Sequence, residues 1–407
     1  MTTATLLVHN AAELVTCVPT GDDPLGRVTD GSVAVAGERI LAAGPDAAVR
    51  ADVDLSSAQM VDATGKVVAP GFVDSHTHLV FGGSRAREYA ARLTRSRDEV
   101  VALGIPVGIG ASVAMTRAAS TDELLVSATA RLDAMLRHGT TTVESKSGYG
   151  LRTADEIRML EVNRRLQEDQ PVDVVSTFLG AHDFPVDIPR ETYIEEVIGE
   201  MIPEVVRSDL ARFCDVFLDE GYYDVEQSRR ILEAGQEAGL EAKIHTDQYS
   251  DLGGARLAAE LGVVSADHLN YTQRPAMRGL AAAGVVGVVT PVLDFAVRHP
   301  RPFDARAMID EGMTLAVATD LCPGCWVESM QLVVEFACRS YGLSVEEALL
   351  AATVGGARAI GVDDRGALVP GSLADIQIWD LPTTEDLAYR LGDNAVHRVI
   401  KRGRTVV

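Results

Sequence analysis

The sequence predicts an α/β fold: a (β/α)8 barrel of the TIM type with a small β-sandwich domain built from both ends of the chain. Short apolar segments alternate with helical patterns through the middle of the 407 residues. Both ends of the chain have short β-strand patterns separated by turn residues. Five of the nine histidines also fall where predicted strands end. We therefore divide the chain into residues 1–66, 67–366 and 367–407, with the barrel in the central part.

The end segments have the pattern of antiparallel strands. Residues 5–8, 32–37 and 39–43 are short apolar runs separated by turn residues, and residues 374–379 and 399–407 return to the same pattern. Short alternating segments of this kind are typical of paired β-strands. We expect both ends to build one sandwich that flanks the central domain.

Eight strands are predicted in the central part of the chain: Val73–His78, Thr140–Lys146, Val174–His182, Phe213–Asp219, Ala242–His245, Ser265–His268, Val285–Pro291 and Leu315–Asp320. Intervening segments such as Asp122–His138 and Asp155–Asp169 have helical periodicity and begin with capping residues. Eight such units over about 250 residues are typical of a barrel, whose active site lies at the C-terminal ends of the strands.

Composition limits the partners that the protein can have. The formal net charge of −22 at pH 7 argues against nucleic acid or an anionic membrane. The five cysteines are scattered and do not form a disulfide framework. The uncharged stretch Gly279–Leu293 is shorter than the roughly 18–20 residues of a membrane span. Without a signal-peptide pattern at the start, we expect a cytoplasmic protein that acts on a small molecule.

A His-x-His motif, His76 and His78, is the most informative feature of the chain. On a strand, residues i and i+2 point to the same side, so both imidazoles can face one metal ion. Four further candidate groups end other predicted strands: His182, His245, His268 and Asp320. Imidazoles and a carboxylate that converge at one end of a barrel predict a metal site. The alternative for each group is a buried, hydrogen-bonded side chain.

Three segments carry a resemblance to known enzymes: His76–Arg85, Ser145–Leu151 and Thr177–His182. With the histidines and Asp320, they resemble the amidohydrolase superfamily and, within it, the imidazolonepropionases of histidine breakdown. The resemblance covers essentially the whole chain. It implies a hydrolase that opens a C–N bond of a five-membered cyclic amide bearing a carboxylate. The reference reaction converts 4-imidazolone-5-propanoate and water to N-formimino-glutamate. It also implies a homodimer.

The resemblance implies a role for each residue of the metal site. The ligands would be His76, His78, His245 and Asp320, which suit one divalent ion, zinc first, with iron or manganese as alternatives. Such an ion lowers the pKa of a bound water and polarises a carbonyl. Asp320 would also carry the water's proton to the leaving nitrogen, and His268 would hydrogen-bond the nucleophile or the oxyanion.

Five residues are implied as substrate contacts: Arg85, Tyr149, His182, Gln248 and Cys322. Arg85 would form a forked ion pair with a substrate carboxylate, the alternative being a surface arginine. Tyr149 lies in a glycine-rich loop, where it forms a pocket wall or packs the loop itself. A carboxylated Lys146 in a two-metal site is disfavoured, because the resemblance places this lysine on strand two.

Three features depart from the family pattern. Gln248 stands where the family has a glutamate, Cys322 stands where it has an asparagine, and the loop Pro106–Ile109 keeps one glycine of the usual three. An amide donates as well as accepts hydrogen bonds, so the first exchange suggests an altered substrate. The alternatives are an ordinary imidazolonepropionase that tolerates the exchanges, a deaminase of a related heterocycle, and a non-catalytic scaffold. Cys322 and Cys325 lack the second pair of a zinc site, so Cys322 is interpreted as a small pocket residue.

Overall fold

The computed structural model describes residues 2–407 of the chain. Strands of its first part are β1 (Leu6–Ala11), β2 (Glu13–Val15), β3 (Arg27–Val28), β4 (Gly31–Ala36), β5 (Arg39–Pro45), β6 (Gln59–Asp62) and β7 (Val67–Pro70). The central strands are β8 (Phe72–Thr77), β9 (Thr140–Lys146), β10 (Asp173–Ala181), β11 (Phe213–Leu218), β12 (Glu241–Thr246), β13 (Ser265–His268), β14 (Val286–Val289) and β15 (Leu315–Val317). The last part adds β16 (Ile376–Trp379), β17 (Val396–Lys401) and β18 (Arg404–Thr405).

The helices lie mostly between the central strands. They are α1 (Asp46–Asp52), α2 (Ala86–Arg92), α3 (Arg97–Ala102), α4 (Gly108–Ala118), α5 (Thr121–Arg137), α6 (Thr153–Asp169), α7 (Arg190–Glu196), α8 (Ile202–Arg207), α9 (Val225–Glu237), α10 (Gly254–Leu261), α11 (Arg274–Ala283), α12 (Pro291–Val297), α13 (Ala305–Asp310), α14 (Met330–Tyr341), α15 (Val345–Leu350), α16 (Gly356–Ala359) and α17 (Thr384–Tyr389). Single π-helical turns cover Val197–Met201 and Ala351–Gly355. Within residues 2–407, no helix has both the length and the apolar character needed to cross a membrane.

Strands β8–β15 form the parallel barrel that the sequence predicts. Each strand pairs with its successor along the chain. The ring closes between its last and first strands, where Asp320 N donates to His76 O at 3.1 Å and His78 N donates to Leu321 O at 2.8 Å. All eight predicted strands are present, and their bounds differ from the prediction by three residues at most. The barrel therefore brings the ends of β8 and β15, which are far apart in sequence, into direct contact.

Local sequence signals account for several helix starts. Ser120 and Glu123 form a capping box at the start of α5, and Asp224 and Gln227 form one at the start of α9. In each box the two side chains satisfy backbone N–H groups that the first helical turn leaves unpaired. The buried side of α5 then packs on the barrel through residues such as Leu132.

Two further sheets, of four and six strands within residues 2–407, form a β-sandwich. Their strand orders are β5-β4-β1-β6 and β18-β17-β16-β7-β2-β3. The six-stranded sheet joins both ends of the chain, because β7 pairs antiparallel with β16, with Pro70 opposite Ile376. Leu6 and Val35 from one sheet share an apolar core with Val68 and Ile376 from the other. The domain division at residues 66 and 366 stays a prediction.

A buried ionic cluster joins the barrel to the sandwich. Asp173, at the start of β10, accepts hydrogen bonds from Lys401 Nζ at 2.9 Å and from Arg365 Nη1 at 2.6 Å. Arg402 Nη2 donates to the same carboxylate at 3.0 Å. Burial alone would raise the pKa of Asp173, but Lys401 and the two arginines together lower it to about 2. The ion pairs therefore hold this carboxylate charged at the boundary between the two parts.

Candidate metal centre and substrate cavity

The four predicted metal ligands lie together at the C-terminal end of the barrel. Asp320 Oδ1 is 3.7 Å from His76 Nε2 and 3.8 Å from His78 Nε2. The ring centroids of His76 and His245 are 4.5 Å apart. Donor atoms of His76, His78 and Asp320 lie within 4.8 Å of one another, and so do donor atoms of His76, His245 and His268. The two groups share His76, and each is compact enough to hold a metal ion.

The chemical state of these donors fits a divalent cation. Among the described residues, His76 Nε2, His245 Nε2 and Asp320 Oδ1 are buried without a hydrogen-bond partner. Unpartnered buried polar atoms cost free energy, and a cation bound between them would remove that cost. Burial lowers the pKa of His76, His78 and His245 well below the usual value, so their nitrogens keep a free lone pair. Neutral imidazoles with one carboxylate suit zinc, iron or manganese.

Unusual backbone conformations turn two of these side chains toward the barrel mouth. His268 has φ +80° and Asp320 has φ +47°, both in the left-handed region. In a regular strand, consecutive residues face opposite sides. At the end of β13, however, Asp267 contacts His76 while its neighbour His268 lines the cavity above. Non-glycine residues held in this region are found disproportionately at functional sites.

Carboxylates behind the site orient two of the imidazoles. His76 Nδ1 donates to Asp267 Oδ2 at 2.6 Å. His245 Nδ1 lies 3.0 Å from Asp215 Oδ2, a close polar contact without the alignment of a hydrogen bond. A proton held at Nδ1 leaves Nε2 as the ligand atom, which is the arrangement that metal-binding histidines usually have. Asp215 and Asp267 are therefore supporting residues that the sequence analysis did not identify.

Lys146 joins these carboxylates into one network. Its Nζ donates to Glu144 Oε1 and Asp215 Oδ2, each at 2.8 Å, and lies 3.3 Å from Asp267 Oδ2. Burial opposes the charge of Lys146, but the three carboxylates outweigh it and raise the pKa of this lysine. Lys146 is thus an ammonium group engaged by three carboxylates, which agrees with the prediction that it is not a carboxylated metal ligand. A second buried lysine, Lys243, contacts Glu144 at 3.2 Å.

A cavity of about 480 Å³ lies above the metal donors. Every residue predicted as a substrate contact lines it: Arg85, Tyr149, His182, Gln248 and Cys322. The backbones of Cys322 and Cys325 exchange hydrogen bonds at 3.0 and 3.1 Å, so the Cys-x-x-Cys segment is a tight turn at the cavity wall. Burial raises the pKa of the Cys322 thiol to about 12. This side chain is therefore a small neutral group facing the cavity.

Arg85 is held by an ion pair with Glu88. Its Nε donates to Glu88 Oε2 at 2.6 Å and its Nη2 donates to Oε1 at 2.9 Å. Gly108 N, in the loop Pro106–Ile109, donates to the same carboxylate at 3.3 Å. Glu88 therefore fixes one edge of the guanidinium and links it to a loop that departs from the family pattern. The other edge, with Nη1, lies beside Gly324.

The loop that carries Tyr149 packs closely on His182. Gly148 has φ +106°, and a Cβ atom there would lie 2.9 Å from the His182 side chain, so glycine permits the contact. His182 Nδ1 is 3.1 Å from Gly148 O. The buried carboxylate of Glu156 accepts hydrogen bonds from three amides of this loop at 2.7–2.8 Å. Both predicted contact residues are therefore held rigidly.

Gln248 lies in the loop after β12 with its amide free to bind a ligand. No hydrogen bond from its side chain to another described residue is present, although only 6% of the residue is exposed. The loop itself is fixed, since Tyr249 N donates to Asp219 Oδ2 at 2.8 Å and Thr272 Oγ1 donates to Asp247 at 2.6 Å.

Several cavity residues were not predicted from the sequence. Aromatic rings of Phe217, Tyr222 and Tyr249 line one wall, and three arginines, described below, line the mouth. Tyr222 and Tyr249 follow the ends of β11 and β12, where barrel enzymes carry their binding residues. Their position just after predicted strand ends was the sequence signal that could have identified them as cavity residues.

The chain is similar in sequence and in fold to known enzymes. The sequence pattern of the amidohydrolase family matches residues 59–103 and 97–407. An imidazolonepropionase from Shouchella clausii is 41% identical over 416 residues, covering 99% of this chain and 93% of the relative. One from Geobacillus kaustophilus is 43% identical, covering 99% and 98%. Among solved structures, an adenosine deaminase from Xanthomonas campestris with bound zinc has a TM-score of 0.75 at 20% identity, covering 99% of this chain and 93% of its own. That last likeness shows the fold.

Proposed function

Because the chain belongs to the amidohydrolase family and, within it, to the imidazolonepropionases, we propose that it hydrolyses 4-imidazolone-5-propanoate to N-formimino-glutamate. The reaction opens a C–N bond of the five-membered ring. The observation that carries the proposal is the cluster of unpartnered His and Asp donors at the floor of a cavity that also contains Arg85. The cluster fits a hydrolytic metal, and the arginine fits the propanoate group of the substrate.

We assign the metal site to His76, His78, His245 and Asp320, with zinc as the ion and iron or manganese as alternatives. When bound, the ion supplies an activated water and polarises the carbonyl that is attacked. Three buried, neutral imidazoles and one carboxylate would hold the ion and would leave a coordination position for that water. Asp267 and Asp215, at the Nδ1 atoms of His76 and His245, keep the two rings in place.

Asp320 and His268 are assigned to proton transfer and oxyanion stabilisation. Asp320 Oδ1 lies toward His76 and His78, and Oδ2 lies 4.0 Å from His268 Nε2. A carboxylate in this position can take a proton from water and deliver it to the ring nitrogen as the C–N bond breaks. Burial lowers the pKa of His268 to about 4, so near pH 7 it is neutral and acts through its N–H group.

The remaining contacts are assigned to substrate recognition. The free edge of Arg85 binds the propanoate carboxylate, since its other edge is already paired with Glu88. Tyr149 and His182 form a rigid wall beside the ring. Gln248 and Cys322 hydrogen-bond or pack against the polar edge of the ring. We propose that these two residues shift the substrate preference of the enzyme relative to the family. The homodimer and the cytoplasmic location stay predictions.

The test is an assay of the purified protein with 4-imidazolone-5-propanoate, together with metal analysis by mass spectrometry. We expect substrate consumption and one bound ion in the wild type. His245→Ala should lose both while keeping its circular dichroism spectrum, because it removes one of four ligands. The matched control is His397→Ala, because His397 is exposed on β17. This variant should retain the bound metal and the activity. Stoichiometric metal and full activity in His245→Ala, or an inactive metal-loaded wild type, would contradict the proposal.

A further inference from the structure

The mouth of the cavity is positively charged although the protein is strongly acidic. The charged residues that line the cavity are four arginines (Arg85, Arg92, Arg95 and Arg298) and two acids (Glu88 and Asp320). The chain as a whole carries a formal net charge of −22. Arg92, Arg95 and Arg298 are exposed residues of the cavity lining. We refer to these three residues as the arginine rim.

Among the described residues, no carboxylate oxygen lies within 4.0 Å of the guanidinium groups of the arginine rim. Arg95 contributes to lowering the pKa of Glu99, but the two side chains form no ion pair. Several exposed arginines elsewhere are paired, for example Arg152 with Asp187 at 2.8 Å and Arg278 with Glu311 at 2.9 Å. Arg298 Nη1 instead donates to the backbone oxygen of Leu93 at 3.3 Å. This bond ties the end of α12 to the segment after α2. Arg298 is therefore held beside this segment, and all three side chains are exposed to solvent.

An unpaired cluster of one sign at the mouth of a cavity concentrates ligands of the opposite sign. Clefts lined by one charge focus the electric field and raise both local ligand concentration and association rate. The effect extends over about 10 Å at 0.1 M salt and weakens as salt is added. Arg85 lies further in and is partly neutralised by Glu88. An anion would therefore meet the rim before it reaches the paired arginine.

We propose that the arginine rim captures the anionic substrate by long-range attraction and that Arg85 then binds its carboxylate. The proposal rests on the proposed function in one respect, namely that the substrate carries a carboxylate. It assigns Arg92, Arg95 and Arg298 to substrate capture.

The experiment measures kcat/KM for 4-imidazolone-5-propanoate between low and high ionic strength. In the wild type, kcat/KM should fall as salt rises. In the triple variant R92Q/R95Q/R298Q it should be about five- to tenfold lower at low salt, with the loss in KM, and should depend only weakly on salt. The triple Arg→Lys variant should restore the wild-type salt dependence, because a point charge is sufficient for attraction.

The matched control is R137Q/R164Q/R256Q. These arginines are also exposed and without a carboxylate partner within 4.0 Å among the described residues, but they lie outside the cavity. The control changes the net charge by the same amount and should keep the wild-type kcat/KM and salt dependence. The proposal would be overturned if the rim variant and the control variant had the same kcat/KM and the same salt dependence.

A second measurement separates this proposal from the proposed function. Isothermal titration calorimetry follows the binding of imidazole-4-propanoate and of its uncharged amide, which requires no turnover. The carboxylate should bind more weakly to R92Q/R95Q/R298Q at low salt, and the amide should not distinguish the proteins. If the wild type binds the carboxylate in this way but does not hydrolyse 4-imidazolone-5-propanoate, only the proposed function fails. If binding of the carboxylate is the same in wild type and rim variant, the capture role fails.

Discussion

Replacing Lys146 with methionine tests the network that supports the metal centre. The change keeps an unbranched side chain but removes its ammonium group. Glu144, Asp215 and Asp267 would then lose contacts of 2.8, 2.8 and 3.3 Å. Of the buried cations in this network, Lys243 would remain, 3.2 Å from Glu144. The carboxylates of Asp215 and Asp267 would be left close together without the cation between them.

The expected loss of stability is large. Lys146 and its three partners are fully buried, at 0% exposure. Removing one member of a buried ion pair costs about 3–5 kcal/mol, because the remaining charge stays desolvated and unpaired. We therefore expect the free energy of unfolding to fall by about 3–5 kcal/mol. That is a substantial part of the roughly 5–15 kcal/mol typical of folded proteins.

The assay is equilibrium urea unfolding of the metal-free protein at pH 7, followed by far-ultraviolet circular dichroism. Lys243→Met is the matched control, since Lys243 is equally buried but contacts one carboxylate and two backbone oxygens at 3.3 Å. Metal retention against a chelator is the second readout. Lys146→Met should lose metal faster than Lys243→Met, because Lys146 contacts the aspartates that face His76 and His245 directly, whereas Lys243 acts on them at longer range. A stability within 1 kcal/mol of the wild type, or equal metal loss in both variants, would refute the reasoning.

Three further predictions address the substrate contacts and the boundary cluster. Arg85→Met should raise KM for carboxylate substrates about 10- to 100-fold, as loss of a charge-assisted pair worth about 1.5–3 kcal/mol predicts; an unchanged KM in steady-state assays would place the carboxylate elsewhere. The double variant Gln248→Glu with Cys322→Asn should raise kcat/KM on 4-imidazolone-5-propanoate at least tenfold if these positions alter ring preference, and a decrease would show that the native pair suits that ring. Asp173→Asn should cost about 2 kcal/mol at pH 7, since the folded-state pKa of about 2 lies below the ordinary 3.8. That stabilisation is present above pH 4 and is lost as the pH falls toward 2, so urea midpoints of variant and wild type should converge there.

The barrel and the positions of the metal donors were predictable from local sequence. Apolar runs bounded by turn residues marked β8–β15, and His76, His78, His245 and His268 stood at the ends of those runs. Parallel strands in a barrel end on the same face, so strand-end residues had to converge. This argument needs only the strand positions, which the sequence signals strongly.

The supporting residues were not predictable in the same way. Asp267 and His268 are consecutive, and regular alternation would have placed them on opposite sides of β13. His268 has a left-handed backbone conformation and lines the cavity, a placement that strand alternation does not predict. Lys146 likewise acquires its role from Asp215, which lies on a different strand. The pairing of Arg85 with Glu88 could have been predicted from the sequence, since residues three apart on a helix are neighbours.

The joint sheet of the sandwich has a consequence for synthesis of the protein. Strand β7 pairs with β16, and about 300 residues separate them along the chain. At about 5–20 residues per second, β7 is made about 15–60 s before its partner exists. During that interval Val68 and the unpaired edge of β7 stay open to other chains, a condition that favours aggregation. The sandwich is therefore completed only after the whole barrel has left the ribosome, so a chain interrupted within the barrel keeps this edge exposed.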